Sequence, residues 1–152
     1  MFSPKFVLWF LISIFIVHNI ATGLAIYWIY FWFDIPMHFL GGFWVALVGL
    51  VFVFNFQKPI FKEREILGFN LSEKTALVLS AFLIIVSFTA LIGVLWEFYE
   101  FLWDIFISVK TPAVIMGGDN VDTLKDLFFD LLGGSTCVLI YLILPIKHLM
   151  SH

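Results

Sequence analysis

Long apolar runs separated by short polar stretches make up most of the chain. Four of these runs are long enough to cross a bilayer as an α-helix, which takes about 20 residues. We expect the four spans at residues 6–33, 39–56, 75–104 and 123–145. The alternating pattern of a membrane β-barrel is absent from the sequence. The pattern therefore predicts an all-α integral membrane protein, a four-transmembrane-helix bundle that forms a single domain.

The composition agrees with a membrane location and argues against other classes of protein. Only 12% of the residues are charged, about half of the 25% that is usual in soluble domains. The net charge of −3 comes without a basic patch, so nucleic acid is not an expected partner. A single cysteine, Cys137, excludes a disulfide scaffold. Membrane lipid is therefore the expected surrounding of the chain.

The distribution of basic residues predicts which helix ends face the cytoplasm, because Lys and Arg concentrate in the cytoplasmic segments of membrane proteins. Six of the eight basic residues fall in the two terminal tails and in the loop 57–74: Lys5, Lys58, Lys62, Arg64, Lys74 and Lys147. We therefore expect both termini in the cytoplasm and the loop 108–121 on the outer side of the cytoplasmic membrane.

The acidic residues have the opposite distribution. Three of the eleven lie in the cytoplasmic loop, and the others fall toward the outer side: Asp34, Glu97, Glu100, Asp104, Asp119, Asp122, Asp126 and Asp130. A helix rises about 1.5 Å per residue. When residues are counted from the cytoplasmic end of each span, His38, Glu97 and Asp126 reach the same depth, at the outer boundary of the hydrocarbon. The ends of three helices are therefore expected to form one acidic layer.

The spacing of these acids indicates that they face the interior of the bundle. Two sets each share one face of a helix: Glu97, Glu100 and Asp104 in the third span, and Asp122, Asp126 and Asp130 in the fourth. Carboxylates bind Mg²⁺, Mn²⁺ and Ca²⁺, and an imidazole extends the choice to Zn²⁺. Facing helices can hold two ions. We expect one or two divalent metal ions, while a proton-sharing carboxyl network and solvated interfacial acids stay open as alternatives.

The expected metal ligands are nine residues: Asp34, His38, Glu97, Glu100, Asp104, Asp119, Asp122, Asp126 and Asp130. Three of them, His38, Glu97 and Asp126, are also the expected catalytic residues, with His38 as ligand or general base. Several of these residues have a structural alternative. Asp34 and Asp122 could cap a helix, and Asp119 could belong to a turn. Asp104 could be a surface acid, and His38 could be a hydrogen-bonded histidine at a helix end.

Three sequence blocks carry a resemblance to a known family: DIPMHFLGG from Asp34, WEFYE from Trp96, and GDNVDTLKDLFFDLLGG from Gly118. Over roughly residues 34–134 the chain resembles the YjdF-like family of small prokaryotic inner-membrane proteins and, distantly, VanZ-like proteins. The resemblance maps recurrent polar positions onto Asp34, His38, Glu97, Glu100, Asp119, Asp122, Asp126 and Asp130. The chain is shorter than YjdF itself, and the resemblance implies no activity.

Three functions agree with an acidic layer at this depth. A metal-dependent membrane enzyme, a hydrolase or phosphotransferase, would act on a lipid-linked small-molecule substrate at the level of the lipid head groups. An accessory or structural subunit would use the metal for stability, with a homo-oligomer as the expected assembly. A cation or proton transporter is the third alternative, since acids at membrane depth mark ion pathways, although the fourth span is largely apolar beyond Asp130.

Overall fold

The computed structural model describes residues 3–56, 65–66, 69–70, 73–107 and 118–143. The elements in these ranges are α1 (Pro4–Gly23), α2 (Ile26–Ile29), α3 (Asp34–Phe56), β1 (Glu65–Ile66), β2 (Phe69–Asn70), α4 (Glu73–Phe106) and α5 (Asn120–Ile143). The two short strands pair antiparallel within the expected cytoplasmic loop and were not predicted. The rest of that loop, most of the loop 108–121 and the C-terminal tail lie outside the described residues.

The described helices have the character of a membrane protein. Three are long and apolar enough to cross a bilayer, over Pro4–Gly23, Asp34–Phe52 and Val78–Phe106. Helix α5 has 24 residues, about 36 Å at the rise of an α-helix, but its first half is charged. Large apolar side chains are exposed along the helices, whereas several ionisable ones are buried. The helical membrane fold is thus supported, while the count of four spans and the orientation of the termini stay predictions.

The first expected span, residues 6–33, is not one continuous helix. Helix α1 ends at Gly23, and Ala25 adopts a left-handed backbone conformation (φ 54°) that interrupts the helix. The single turn α2 follows, and α3 begins earlier than expected, at Asp34. As a consequence, Asp34 and His38 lie on the first two turns of one helix, four residues apart on the same face.

Helices α3 and α5 approach each other closely because glycines lie where they cross. A methyl group at Gly42 would overlap the backbone carbonyl of Asp130, and one at Gly133 would overlap that of Phe39. Gly93 of α4 faces the side chain of Asp130 in the same way. Small residues allow such close helix contacts in membranes. The crossing therefore draws the N-terminal turns of α3 and α5 together, beside α4.

The apolar core lies beyond this crossing, toward the other end of the bundle. It is formed by Val7, Ala46, Leu47, Leu50, Ile85, Cys137 and Val138. The indole Nε1 of Trp44 donates a hydrogen bond to the Val7 carbonyl (2.8 Å) and ties α1 to α3. The buried hydroxyl of Thr89 donates to the carbonyl of Ile85 on its own helix. The buried acids and the buried histidine of the described bundle, Glu100, Asp126, Asp130 and His38, are thus gathered at one end.

Candidate metal centre

His38 lies at the middle of the ionisable groups, and only 6% of its surface is exposed. Its Nε2 atom is 3.4 Å from Asp34 Oδ1 and 3.9 Å from Asp126 Oδ2. Its Nδ1 atom is 3.4 Å from Asp130 Oδ1. Asp126 and Asp130 lie one turn apart on α5, so the close contact of α3 with α5 brings carboxylates to both nitrogen atoms of the ring.

Helix α4 contributes two further carboxylates from a third direction. One ligand atom each of His38, Glu97 and Glu100 lies within 4.8 Å of the others. Asp34, His38 and Asp126 form a second group that meets the same limit. His38 belongs to both groups and is therefore the residue around which the three helices place their acids.

Neighbouring side chains orient the two glutamates of α4. The indole Nε1 of Trp96 donates a hydrogen bond to Glu100 Oε1 at 2.8 Å. The side chain of Thr123, at the start of α5, interacts with the Glu97 carboxylate. The buried Oε1 atom of Glu97 has no hydrogen-bond partner among the described residues. One oxygen of the Glu97 carboxylate is therefore free to accept a proton or to bind a cation.

Asp126 is the most buried of the described acids, with 2% of its surface exposed. Its Oδ1 atom has no hydrogen-bond partner within the part of the chain that the structure describes. The ammonium of Lys125 is 3.7 Å from that atom, which is beyond hydrogen-bonding distance. Burying a carboxylate without donors costs several kcal/mol. A cation that binds among these carboxylates would compensate this cost.

Lys125 lies among these carboxylates and is the residue that the sequence interpretation omitted. Its Nζ atom is 4.0 Å from Asp34 Oδ2 and 3.7 Å from Asp126 Oδ1, and it contacts Asp122 Oδ1 directly. One signal could have found it: Lys125 follows Asp122 by three residues, a spacing that places two side chains next to each other on a helix. A single ammonium neutralises only part of the charge of these acids.

Three of the predicted site residues lie outside the described contacts of His38: Asp104, Asp119 and Asp122. Asp119 is exposed, and its Oδ1 accepts hydrogen bonds from the backbone N–H groups of Val121 (2.9 Å) and Asp122 (3.0 Å). Asp119 therefore caps α5, the role that the sequence left open for Asp122. Asp122 instead pairs with Lys125. Asp104 belongs to neither of the two groups of potential ligands found among the described residues.

The arrangement around His38 fits the chemistry of a metal site. Metal-binding histidines almost always donate their second ring N–H to a carboxylate, a carbonyl or water, which fixes the tautomer. Asp130 occupies that position at Nδ1, while Nε2 faces Asp34 and Asp126. Two carboxylates and one imidazole suit divalent cations such as Mn²⁺ and Zn²⁺.

The chain belongs to the family described as "Predicted membrane protein (DUF2238)", whose sequence profile matches residues 1–147. YjdF is a member of this family, so the YjdF-like resemblance is confirmed, whereas the similarity to VanZ-like proteins gains no support. No curated protein and no solved structure matches the chain significantly. The family supports a membrane location for the chain.

Proposed function

We propose that the chain is a multi-pass enzyme of the cytoplasmic membrane that uses a divalent cation held by Asp34, His38 and Asp126. The observation that carries this proposal is the surrounding of His38, whose Nε2 faces two carboxylates while its Nδ1 faces a third, that of Asp130. With the ring proton on Nδ1, the lone pair of Nε2 points toward the cation. The unpartnered Oδ1 of Asp126 supports the same conclusion.

The residues around this site support a hydrolase or phosphotransferase. A divalent cation polarises a phosphoryl or carbonyl oxygen and lowers the pKa of bound water. Glu97, through its unpartnered Oε1, acts as the general base that takes a proton from the attacking group. Glu100, which Trp96 orients, adds negative charge beside the cation. Asp130 becomes a positioning residue for His38 rather than the direct ligand that the sequence suggested.

The expected depth of the site supports a lipid-linked substrate, because phosphate and ester groups of lipids lie at the boundary of the hydrocarbon. In the proposed topology, α5 is the fourth span and both termini are cytoplasmic. This topology is tested with two variants that each carry one cysteine, in place of Asp119 or of Lys58, in a chain whose own cysteine is removed by Cys137→Ser. A thiol reagent that does not cross membranes should label position 119 and leave position 58 unlabelled in intact cells. The reverse labelling, or equal labelling at both positions, contradicts the topology.

A structural role for the same metal is the second candidate function. It is supported by the contacts of His38, since they join α3 to Asp126 and Asp130 of α5. A transporter has less support, because the described core beyond Asp130 is apolar and the Thr89 hydroxyl is bonded to its own helix. A conducted ion needs polar groups along its path.

Metal binding is tested on the purified full chain in detergent, stripped of metal and titrated with Mn²⁺, Mg²⁺, Ca²⁺ or Zn²⁺. Asp126→Asn removes one charge from the proposed ligands at constant size. Asp104→Asn removes the same charge outside them and is the matched control. We expect the wild type and D104N to bind alike and D126N to bind at least about tenfold more weakly. Equal binding by all three, or none by the wild type, contradicts the metal centre.

Catalysis is tested separately with the ion that binds most tightly. The loaded protein is added to phospholipid vesicles that contain a prenyl diphosphate, and inorganic phosphate and cleaved lipid are measured. Ion-dependent product from the wild type, absent with D126N, is the expected result. Full metal binding without product, combined with a loss of thermal stability in D126N, would instead favour the structural role.

A further inference from the structure

Asp34 and Asp126 each direct their two carboxylate oxygens toward two different positions. Toward Nε2 of His38, they present Asp34 Oδ1 at 3.4 Å and Asp126 Oδ2 at 3.9 Å. Toward Nζ of Lys125, they present the opposite oxygens, Asp34 Oδ2 at 4.0 Å and Asp126 Oδ1 at 3.7 Å. We call the space next to Nε2 the His38 position and the space that the ammonium fills the Lys125 position.

Two carboxylates shared between two neighbouring positions are the arrangement that holds pairs of ions. Carboxylates on facing helices of a bundle bind two metals, and the ions of such pairs lie about 3.5–4 Å apart. Asp122, which contacts the ammonium, gives the Lys125 position a third carboxylate. Asp126 Oδ1 has no hydrogen-bond partner although it faces the ammonium. The ammonium therefore compensates these carboxylates incompletely.

We infer that the ammonium of Lys125 is a built-in cation that fills one position of a two-cation centre. The native chain then takes one divalent ion, at the His38 position. This inference rests on the metal centre proposed above. Because the ammonium is covalently tethered, it holds the carboxylates together in the metal-free chain and keeps a second ion out. Without it, Asp34, Asp122 and Asp126 offer three carboxylates to a second hard divalent cation of the Mn²⁺ or Mg²⁺ class.

The substitution Lys125→Met tests this inference, because it keeps the length of the side chain and removes its charge. Lys125→Arg retains a cation at the same place. Lys5→Met removes an ammonium from the exposed start of α1 and is the matched control. The metal-stripped chains are titrated with Mn²⁺, elemental analysis gives the stoichiometry, and electron paramagnetic resonance detects coupling between paired ions.

We expect one uncoupled Mn²⁺ per chain in the wild type, K125R and K5M, and two coupled ions in K125M. If K125M binds only one ion, or binds Mn²⁺ more weakly than the wild type, the inference is overturned while the metal centre stands. Two ions in the wild type overturn the inference in the same way. Absence of Mn²⁺ from the wild type and K125M removes the metal centre itself. If K125M is unfolded in chelator, its unfolding temperature is measured again with Mn²⁺ added. An unfolding temperature that returns to the wild-type value supports the inference, and one that does not return overturns it.

Discussion

Replacing Asp130 with Asn tests whether a carboxylate behind His38 strengthens metal binding without touching the ion. Asp130 is buried, and its Oδ1 is 3.4 Å from Nδ1 of His38. The Asn side chain has nearly the same size, and its amide oxygen still accepts a hydrogen bond from the Nδ1–H group. The imidazole ring therefore keeps its orientation, but the loss of the negative charge makes Nε2 a weaker ligand.

The expected loss of metal affinity depends on the charge that Asp130→Asn removes and on the hydrogen bond that it keeps. Removing a carboxylate that supports a ligating histidine costs about 10–100-fold in metal affinity, which corresponds to about 1.4–2.7 kcal/mol. The retained hydrogen bond places the expected effect of Asp130→Asn near the lower limit, about tenfold. Asp126→Asn removes a proposed ligand and is expected to weaken binding more. The predicted order of affinity is wild type, then D130N, then D126N.

Isothermal titration of the metal-stripped chains with Mn²⁺ measures these affinities, with Asp104→Asn as the control for loss of one acidic charge. Thermal unfolding in chelator checks the fold of D130N, because Gly42 and Gly93 pack against residue 130. An affinity of D130N equal to that of the wild type would refute the idea that Asp130 acts through His38. A loss as large as that of D126N would make Asp130 a ligand itself.

Three further outcomes follow from the same contacts. Gly133→Ala should lower the free energy of unfolding by about 1–3 kcal/mol, because the added methyl group forces α3 and α5 apart. Thermal unfolding measures this loss. The control is Gly23→Ala, whose methyl group meets no atom within 4 Å and should not destabilise the chain. Trp96→Phe should weaken Mn²⁺ binding less than Asp130→Asn does, since Glu100 loses the indole donor that orients it but is not itself a proposed ligand. An unchanged titration would show that this orientation of Glu100 does not contribute to binding. Chelator should lower the unfolding temperature of the wild type by the loss of about 2.7 kcal/mol that an ion at a hundred times its Kd contributes. It should lower that of D126N less, because an ion that binds tenfold more weakly contributes at most about 1.4 kcal/mol at the same concentration.

The meeting of three helix ends could be predicted from the sequence because the rise of a helix is fixed. Counting residues from the polar boundaries of each span placed His38, Glu97 and Asp126 at one depth. The structure brings Glu97 and Asp126 each into a group with His38. Depth is a property of each helix by itself, so no knowledge of the packing was needed.

The roles of the individual acids depend on how the helices are packed and could not be predicted in the same way. The crossing at Gly42 and Gly133 sets which carboxylate faces which nitrogen atom of His38. It therefore separates the proposed ligand Asp126 from the supporting Asp130, although both lie on one face of α5. The position of Lys125 could not be predicted because an ammonium is not a metal ligand, and its contact with Asp34 of α3 exists only in the packed bundle.

The end of α1 and the cap of α5 also escaped prediction. The break at Ala25 occurs within an apolar run, where composition gives no signal for a left-handed residue. The capping of α5 by Asp119 rather than by Asp122 depends on where the first helical turn begins. Element ends of this kind are decided by local hydrogen bonds that the hydrophobic pattern does not encode.

Direct ligation of a divalent ion by His38 is the central claim, and nitrogen coupling to bound Mn²⁺ measures it. The full chain is produced with ¹⁵N-labelled histidine and a purification tag free of histidine, loaded with Mn²⁺, and studied by electron spin echo modulation. We expect coupling to one imidazole nitrogen that persists in His18→Gln and disappears in His38→Gln. Bound Mn²⁺ without imidazole coupling, or coupling that survives His38→Gln, would contradict the claim.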